Sequence, residues 1–440
     1  MIEPTLIGLV SVAIMLVLIY AGMHVGIALS LLSFVGVWMI RGDATVAANL
    51  LALAASDAIS DYVFGVVPLF VLMGLLVAVA DIGKDSFEVA NQIFRRVRGG
   101  LGIATVAANA VFAAITGISI ASAAVFTKVA VPEMLRHGYS ARFAVGVVAG
   151  SSVLGMLIPP SLLLILYGVL TEKSVGDLFV AGIIPGIVLA IAYSIGILLM
   201  GRFTPGFVGG RIVAGTEQAA PLMSAGEMAA RIMPVVALVV LVLGGLYAGL
   251  FTPTEAGAVG AAGALVLAII KRKLSRAALW QVLVETGRIT ASICFLIIAA
   301  QLYSRMLAVS GVTELLRALT VSTGLGFPGL LTIFVLVVLL LGTILDSSSI
   351  MLITIPLVLP ALVSFNVDLI WFGIVTLLAV EIGLLTPPFG IAVFVIKATL
   401  GNSSPITLND IFAGALPFAA IMLGVLLLVI AFPWLATALL

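Results

Sequence analysis

Two double prolines lie inside apolar stretches of the 440-residue chain and recur 228 positions apart. The first stands in the segment Gly155–Ser161 and the second in Gly383–Phe389. Proline has no backbone N–H and clashes with the preceding turn, so each pair should interrupt its helix. The carbonyls freed by an interruption suit a hard cation such as Na⁺, which prefers oxygen ligands. The N-terminus of a half-helix suits an anion.

Small and hydroxylated residues form a second cluster ahead of each break. We predict hairpin turns near Thr116–Ser122 and Gly342–Ser349, whose hydroxyl oxygens would join the freed carbonyls as ligands. The predicted cation ligands are Gly117, Ser119, Ser122, Gly155 and Pro159 in the first half, and Gly342, Asp346, Ser347, Gly383, Thr386 and Pro387 in the second. The predicted substrate-binding residues are Thr116, Ser161, Ser348, Ser349, Phe389 and Arg305.

These residue types also have a structural interpretation, because Ser, Thr and Gly pack helices closely in membranes. The recurrence of both clusters beside helix breaks favours binding. Asp346 follows an apolar run, where a carboxylate is costly unless a cation or a lysine accompanies it, and a structural salt bridge is the alternative. Glu381 leaves function and packing equally open. Arg305 and Lys397 could meet an anionic substrate or extend to the membrane interface.

Composition places most of the chain in a membrane. Hydrophobic residues make up 63% and charged residues 9%, with a mean hydropathy of +1.36, whereas a soluble domain carries about 25% charge. The net charge of +1 offers no electrostatic basis for nucleic-acid binding. His24 and His137 lack zinc-ligand spacing. Because no span carries a catalytic motif, we expect a transport protein and not an intramembrane enzyme.

Several short sequences recur in the same order at slowly drifting offsets, which predicts two structural repeats. Tyr20-Ala21-Gly22 recurs as Tyr247-Ala248-Gly249, and Asp177-Leu178-Phe179 pairs with Asp410-Ile411-Phe412. We assign repeat one to residues 1–205, a linker to 206–230 and repeat two to 231–440.

Charge predicts that the repeats are inverted in the membrane. Segment 41–61 is mainly acidic through Asp43, Asp57 and Asp61, whereas its counterpart 268–288 is basic. The next pair reverses this bias, since 84–98 carries four basic residues, Arg98 among them, and 312–326 only Arg317. Cytoplasmic loops collect Lys and Arg, so equivalent loops should lie on opposite sides.

The predicted fold class is therefore an all-α polytopic membrane protein with five spans in each repeat. Apolar runs predict spans near 5–21, 26–40, 62–82 and 178–201, and near 232–250, 255–270, 288–309 and 411–435. Between them lie re-entrant hairpins at 99–127 and 326–364 and proline-broken spans at 143–171 and 370–400. Segment 84–98 should form an amphipathic interfacial helix. Glu255 should cap a helix N-terminus with Thr252 or Thr254.

Three segments resemble a known transporter family over essentially the whole chain. Tyr247–Ala256, Gly155–Ser161 and Gly383–Gly390 are similar to the large membrane subunit of tripartite ATP-independent periplasmic (TRAP) transporters. The resemblance implies an elevator-type ion-transporter fold in a bacterial inner membrane. It also implies sodium-driven uptake of a carboxylate or sugar acid, with two or more Na⁺ ions per cycle. The hairpin turns and helix breaks listed above would hold the ions.

The same resemblance implies a small four-helix membrane subunit and a periplasmic substrate-binding protein as partners. Because nothing precedes the first span, we expect the small subunit to be a separate chain. A stand-alone divalent-anion/sodium symporter is the alternative, since it shares inverted hairpins. Such symporters are expected to carry Ser-Asn-Thr at the hairpin turns, where this chain has Ser119–Ser122 and Asp346–Ser349.

Overall fold

A computed structural model describes residues 3–440 of the chain except 61, 98, 210–222, 313, 316–317, 319–325, 389 and 402–403. In the described part of the first half there are eleven helices, and a short twelfth follows them. They are α1 Pro4–Tyr20, α2 Val25–Arg41, α3 Ala44–Ser60, α4 Val66–Val79, α5 Ile82–Phe94, α6 Gly100–Thr116, α7 Ser119–Arg136, α8 Ala141–Ser152, α9 Leu154–Leu157, α10 Leu162–Thr171, α11 Val175–Phe203 and α12 Pro205–Val208. A 3₁₀ turn at Tyr62–Gly65 precedes α4.

The second half repeats this order of long helices, hairpin, broken helix and closing helix. Its helices are α13 Ala225–Val239, α14 Gly245–Tyr247, α15 Pro253–Ile270, α16 Arg276–Ser310, α17 Gly326–Gly342, α18 Ser347–Ser364, α19 Leu369–Gly383, α20 Ile391–Leu400, α21 Leu408–Ala431 and α22 Trp434–Thr437. A π-helical segment, Val240–Gly244, joins α13 to α14.

Among the described residues, six helices are long and apolar enough to cross a membrane. The count rises to eight when each of two bent pairs is taken as one span, α4 with α5 at 60° and α8–α9 with α10 at 42°. The predicted all-helical polytopic membrane protein is thereby confirmed.

A helix ends ahead of each double proline, and each segment predicted as a hairpin contains two helices, although the second arm of the first runs to Arg136, beyond the predicted end at 127. Hairpin 1 consists of α6 and α7, and hairpin 2 consists of α17 and α18; in each, the two arms pack together. Broken helix 1 runs from α8 to α10 and broken helix 2 from α19 to α20. The Pro159–Pro160 and Pro387–Pro388 peptide bonds are both cis. The predicted cap also forms, because Thr252 and Glu255 make a reciprocal capping box at the start of α15.

The observed helices differ from the elements predicted from apolar runs in three places. Segment 44–60, which we treated only as an acidic connection, is helix α3, because it is rich in alanine and alanine favours helix strongly. Helix α16 begins at Arg276, twelve residues before the predicted span, since charged residues on a helix surface do not end it. Helix α13 begins at Ala225 within the predicted linker, where a Ser224–Glu227 capping box starts it.

Some predictions concern positions outside the described residues. They are the linker positions 210–222, the charges Asp61, Arg98 and Arg317 used for orientation, and the substrate candidate Phe389.

The two halves exchange equivalent contacts. Helix α2 of the first half packs on α16 of the second, and α15 of the second half packs on α4 of the first. Helix α10 packs on hairpin arm α18, and α20 packs on hairpin arm α7. Helix α8 packs on α21, and α19 packs on α11. Each broken helix is therefore held by elements from both halves.

Helix α5 covers the start of hairpin 1 and is joined to the second half by ion pairs. Asp85 binds Lys271, and Glu88 binds Arg231. The predicted segment 84–98 is thus helical from Ile82 to Phe94. Its charged face contacts protein, while Ile93 beside it is 58% exposed.

Candidate functional site

The turn of hairpin 1 contacts break 1 through the backbone. Gly117 ends α6 with φ +63°, a left-handed conformation that glycine adopts at little cost. A Cβ atom on Gly117 would lie 2.6 Å from the carbonyl oxygen of Pro160. The Leu162 N–H donates to the Gly117 carbonyl at 3.3 Å. Glycine is therefore required here for close approach as well as for conformation.

Buried hydroxyl groups surround this contact. Ser119 and Ser122 lie in the first turn of α7 and are buried. The Oγ atom of Ser122 has no hydrogen-bond partner among the described residues, and it lies 3.1 Å from the Cβ position of Gly155. An unpaired buried hydroxyl costs free energy. A ligand that binds this oxygen would remove that cost.

The other candidates of the first half serve the helices that contain them. Thr116 donates to the carbonyl of Phe112 at 3.0 Å. Ser161 caps α10 by accepting from the Leu164 N–H at 3.3 Å. Pro159 is buried at the break. Thr116 and Ser161 thus each have a local partner, although Ser161 adjoins the carbonyl that meets Gly117.

The turn of hairpin 2 contacts break 2 even more closely. A Cβ atom on Gly342 would lie 2.6 Å from the Cα atom of Gly383. One on Gly383 would lie 2.5 Å from the Cα atom of Gly342 and 3.2 Å from the Leu339 carbonyl oxygen. Two backbones therefore meet directly, as small residues permit in membrane proteins. The two halves share this arrangement of a glycine turn against a helix break.

Asp346 caps hairpin arm α18. Its Oδ2 atom accepts from the Ser349 N–H at 3.1 Å, and its Oδ1 atom accepts from the Ser349 hydroxyl. No lysine or arginine among the described residues forms an ion pair with it. The alternative prediction of a structural salt bridge at Asp346 is therefore wrong within the described chain. Capping, which stabilises the helix start, is what this carboxylate does instead.

Ser347 connects hairpin 2 to broken helix 2. Its hydroxyl donates to the Oε1 atom of Glu381 at 3.0 Å, and both residues are buried. The Oε2 atom of Glu381 has no partner among the described residues. Ser348 is half-buried beside them. Thr386 donates to the Ile382 carbonyl at 2.8 Å.

Pro387 is exposed, unlike the buried Pro159. The two breaks thus differ in their access to solvent or to a partner molecule.

The structure does not bring Arg305 to either turn by a hydrogen bond. Its Nη2 atom bonds to Asp57 Oδ2 of α3 at 2.6 Å. Lys397 donates to the carbonyls of Ile406 at 2.8 Å and Ser404 at 3.4 Å, so it closes the loop after α20. Arg305 thus pairs with a residue distant in the sequence and Lys397 with a nearby loop, and neither contacts the turn clusters through a bond among the described residues.

Two buried polar groups were missed or undervalued by the sequence reasoning. Glu381 was left undecided, although a carboxylate inside an apolar helix is itself a signal. Asn109 of α6 was not considered; its Nδ2 atom donates to Ser151 Oγ at 2.6 Å, while its Oδ1 atom has no partner in the described chain. An amide in an apolar segment was the signal that could have identified it.

The described residues contain no group of three or more His, Cys, Asp or Glu side chains that could hold a metal ion. A cation at these turns would depend instead on backbone carbonyls, hydroxyls and at most one carboxylate per site. That ligand set suits a hard monovalent ion better than a transition metal.

Comparison with known proteins places the chain among transporters. Residues 12–435 match the family model for the tripartite ATP-independent periplasmic transporter, DctM component. The C4-dicarboxylate TRAP transporter large permease protein DctM of Pseudomonas aeruginosa PAO1 is 32% identical over 393 residues, covering 88% of each chain. The sialic acid TRAP transporter large permease protein SiaM of Vibrio cholerae is 29% identical and covers 94% of each. The 2,3-diketo-L-gulonate large permease protein YiaN of Escherichia coli K12 is 30% identical, covering 83% of this chain and 84% of its own.

Solved structures give the same fold at low sequence identity. The YdaH transporter of Alcanivorax borkumensis has a TM-score of 0.60 at 15% identity, with 99% of each chain covered. MtrF of Neisseria gonorrhoeae has a TM-score of 0.52 at 14% identity, covering 83% of this chain and 81% of its own. Together with the family match, the helical membrane architecture leads to one conclusion: the chain belongs to the DctM family of tripartite ATP-independent periplasmic transporters, which are transport permeases and not enzymes.

Proposed function

We propose that this chain is the large membrane subunit of a sodium-coupled system that takes up a small organic anion, a carboxylate or sugar acid. One observation carries the proposal. Each half packs a hairpin turn directly onto a helix break, and each contact has a buried oxygen without a partner in the described chain, Ser122 Oγ in one and Glu381 Oε2 in the other. Two such places fit two or more Na⁺ ions per cycle, with the substrate between them.

We further propose that the halves form an inverted repeat of residues 1–205 and 231–440, joined by the linker 206–230, the end of which belongs to helix α13. The reciprocal contacts support it, because exchanging the halves converts α2 on α16 into α15 on α4, and α10 on α18 into α20 on α7. A two-fold relation of this kind is typical of secondary transporters with midplane sites.

The proposed mechanism is an elevator motion. The spans near 5–40 and 232–270, which are α1, α2 and α13 to α15, would form a static scaffold together with α5, and the hairpins and broken helices would form the moving body. Sodium would order the hairpin turns and complete the substrate site, so each ligand would raise the affinity for the other. Movement of the loaded body without sodium is disfavoured because bare turn carbonyls and a desolvated carboxylate are costly in lipid.

The expected partners are a small four-helix membrane subunit and a periplasmic substrate-binding protein, in a bacterial inner membrane. The names of relatives refer to C4-dicarboxylates, sialic acid, 2,3-diketo-L-gulonate and ectoine. The solutes named for these relatives are small and polar and carry a carboxylate or several oxygens, as does the substrate that we propose.

The test is uptake into proteoliposomes that contain the chain and its membrane partner, with the loaded binding protein outside. An inward sodium gradient should drive accumulation, and replacing it with choline should abolish it. Uptake indifferent to sodium would contradict the coupling. Uptake of free substrate without the binding protein would instead favour a stand-alone anion symporter.

A further inference from the structure

Glu381 has a buried carboxyl oxygen that no described residue uses. The residue lies on α19, two positions before Gly383, and none of its surface is exposed. Its Oε1 atom accepts from Ser347 Oγ at 3.0 Å, while its Oε2 atom has no partner in the described chain. No ion pair between described residues includes it. A carboxylate held this way is expensive in a low-dielectric interior unless a cation accompanies it.

The position of Glu381 places the free oxygen where hairpin 2 meets the break. Ser347 begins the second hairpin arm, and its hydrogen bond joins that arm to α19. Gly342, at the end of the first arm, touches Gly383 through the backbone. The Ser347 hydrogen bond therefore places the carboxyl group against the second arm of the hairpin, and an ion bound there would join that arm to broken helix 2.

Asp346 is less suited to balance a cation charge. Both of its oxygens already accept hydrogen bonds from Ser349 as a helix cap. The capping geometry needs the side chain to stay beside α18, whereas Glu381 offers an uncommitted oxygen.

We propose that Glu381 supplies the anionic ligand of a monovalent-cation site between hairpin 2 and broken helix 2, with its Oε2 atom and Ser347 Oγ as side-chain ligands. The inference rests on the proposed sodium-coupled function and deepens it, since coupling requires a cation site but does not say which group balances the charge. In the first half, Val153 occupies the equivalent position. The two sites therefore differ in charge.

The experiment measures thermal unfolding of the full chain, purified in detergent, over a range of NaCl with choline chloride holding ionic strength constant. Glu381→Gln keeps the shape and can still accept from Ser347, but it removes the charge. We expect the half-saturating sodium concentration to rise about tenfold or more, because the amide keeps an oxygen ligand but loses the negative charge that attracts the cation in a low-dielectric site. Glu285→Gln, which removes an exposed carboxylate paired with Arg288, is the matched control and should leave it unchanged.

The outcomes separate this inference from the function it rests on. Wild-type protein with no sodium-dependent stabilisation would overturn the proposed function and the inference together. A sodium response in wild type that Glu381→Gln reproduces at the same half-saturation would overturn the inference alone. If Glu381→Gln does not fold, Ser347→Ala is measured instead; a several-fold rise in half-saturation supports the site, and an unchanged value overturns it.

Discussion

The contact between Gly342 and Gly383 is the most direct test of whether hairpin turn and helix break form one site. A methyl group on Gly383 would lie 2.5 Å from the Cα atom of Gly342. Non-bonded carbons approach to about 3.5–4.0 Å, so Gly383→Ala must move the hairpin away by about 1 Å. Because the neighbouring atoms are backbone, no side chain can rotate aside.

Two losses follow from that displacement. Overpacking of a dense core costs about 1–3 kcal/mol of stability. Ion coordination is more sensitive, since ligand distances hold within about 0.2 Å, so a displacement of about 1 Å should remove the second cation site. We therefore expect Gly383→Ala to lose sodium-driven uptake even where the protein remains folded.

The assays are the sodium dependence of the unfolding temperature and the initial rate of uptake in proteoliposomes. Gly424→Ala is the matched control, because a Cβ atom on Gly424 of α21 would meet nothing within 4 Å. Alanine there should be neutral or stabilise the helix by up to about 1 kcal/mol. A folded Gly383→Ala protein with wild-type sodium half-saturation and uptake would refute the idea of a shared site.

Substitutions at three further residues test the two turns. Gly117→Ala should lower Tm more than Gly138→Ala does. Both glycines have positive φ, +63° and +76°, but only at Gly117 would the added Cβ atom meet backbone atoms, at 2.6 Å. An equal loss of Tm would show that the backbone conformation alone is responsible. Ser122→Ala removes an unpaired buried hydroxyl, so the Tm measured without sodium should stay the same or rise. The half-saturating sodium concentration should rise. A lower Tm without sodium would show that the Ser122 side chain stabilises the fold by packing. Asp346→Asn should retain the cap whereas Asp346→Ala should lose about 1 kcal/mol in chemical unfolding, and equal stability of the two would contradict the capping role.

Local signals in the sequence were sufficient for the breaks and the hairpins. Pro159 and Pro387 end their helices because proline cannot donate the required hydrogen bond, whatever surrounds it. Gly117 ends α6 in a left-handed conformation for an equally local reason. Helix α3 escaped prediction because our criterion was an apolar run of spanning length, and an alanine-rich helix of mixed polarity does not satisfy it.

The chemistry of individual polar side chains was harder to predict, because it depends on which of several possible partners the fold places beside each group. Arg305 pairs with Asp57, 248 positions away. The sequence does not show that this pairing exists, so it could not be weighed against a contact with substrate. Asp346 found its partners three residues ahead and became a cap. Phe389 lies outside the described residues.

The sequence by itself determined that this is a helical membrane protein with two hairpins and two proline-broken helices, because composition, proline and glycine act within one or two helical turns. Only the tertiary structure decided which atoms meet at the breaks. The close approach of Gly342 to Gly383 and the free oxygen of Glu381 beside Ser347 arise from packing between separate helices. A buried group's hydrogen bonds depend on what the fold places within about 3 Å of it, and that distance is not written in the spacing of residues along the chain.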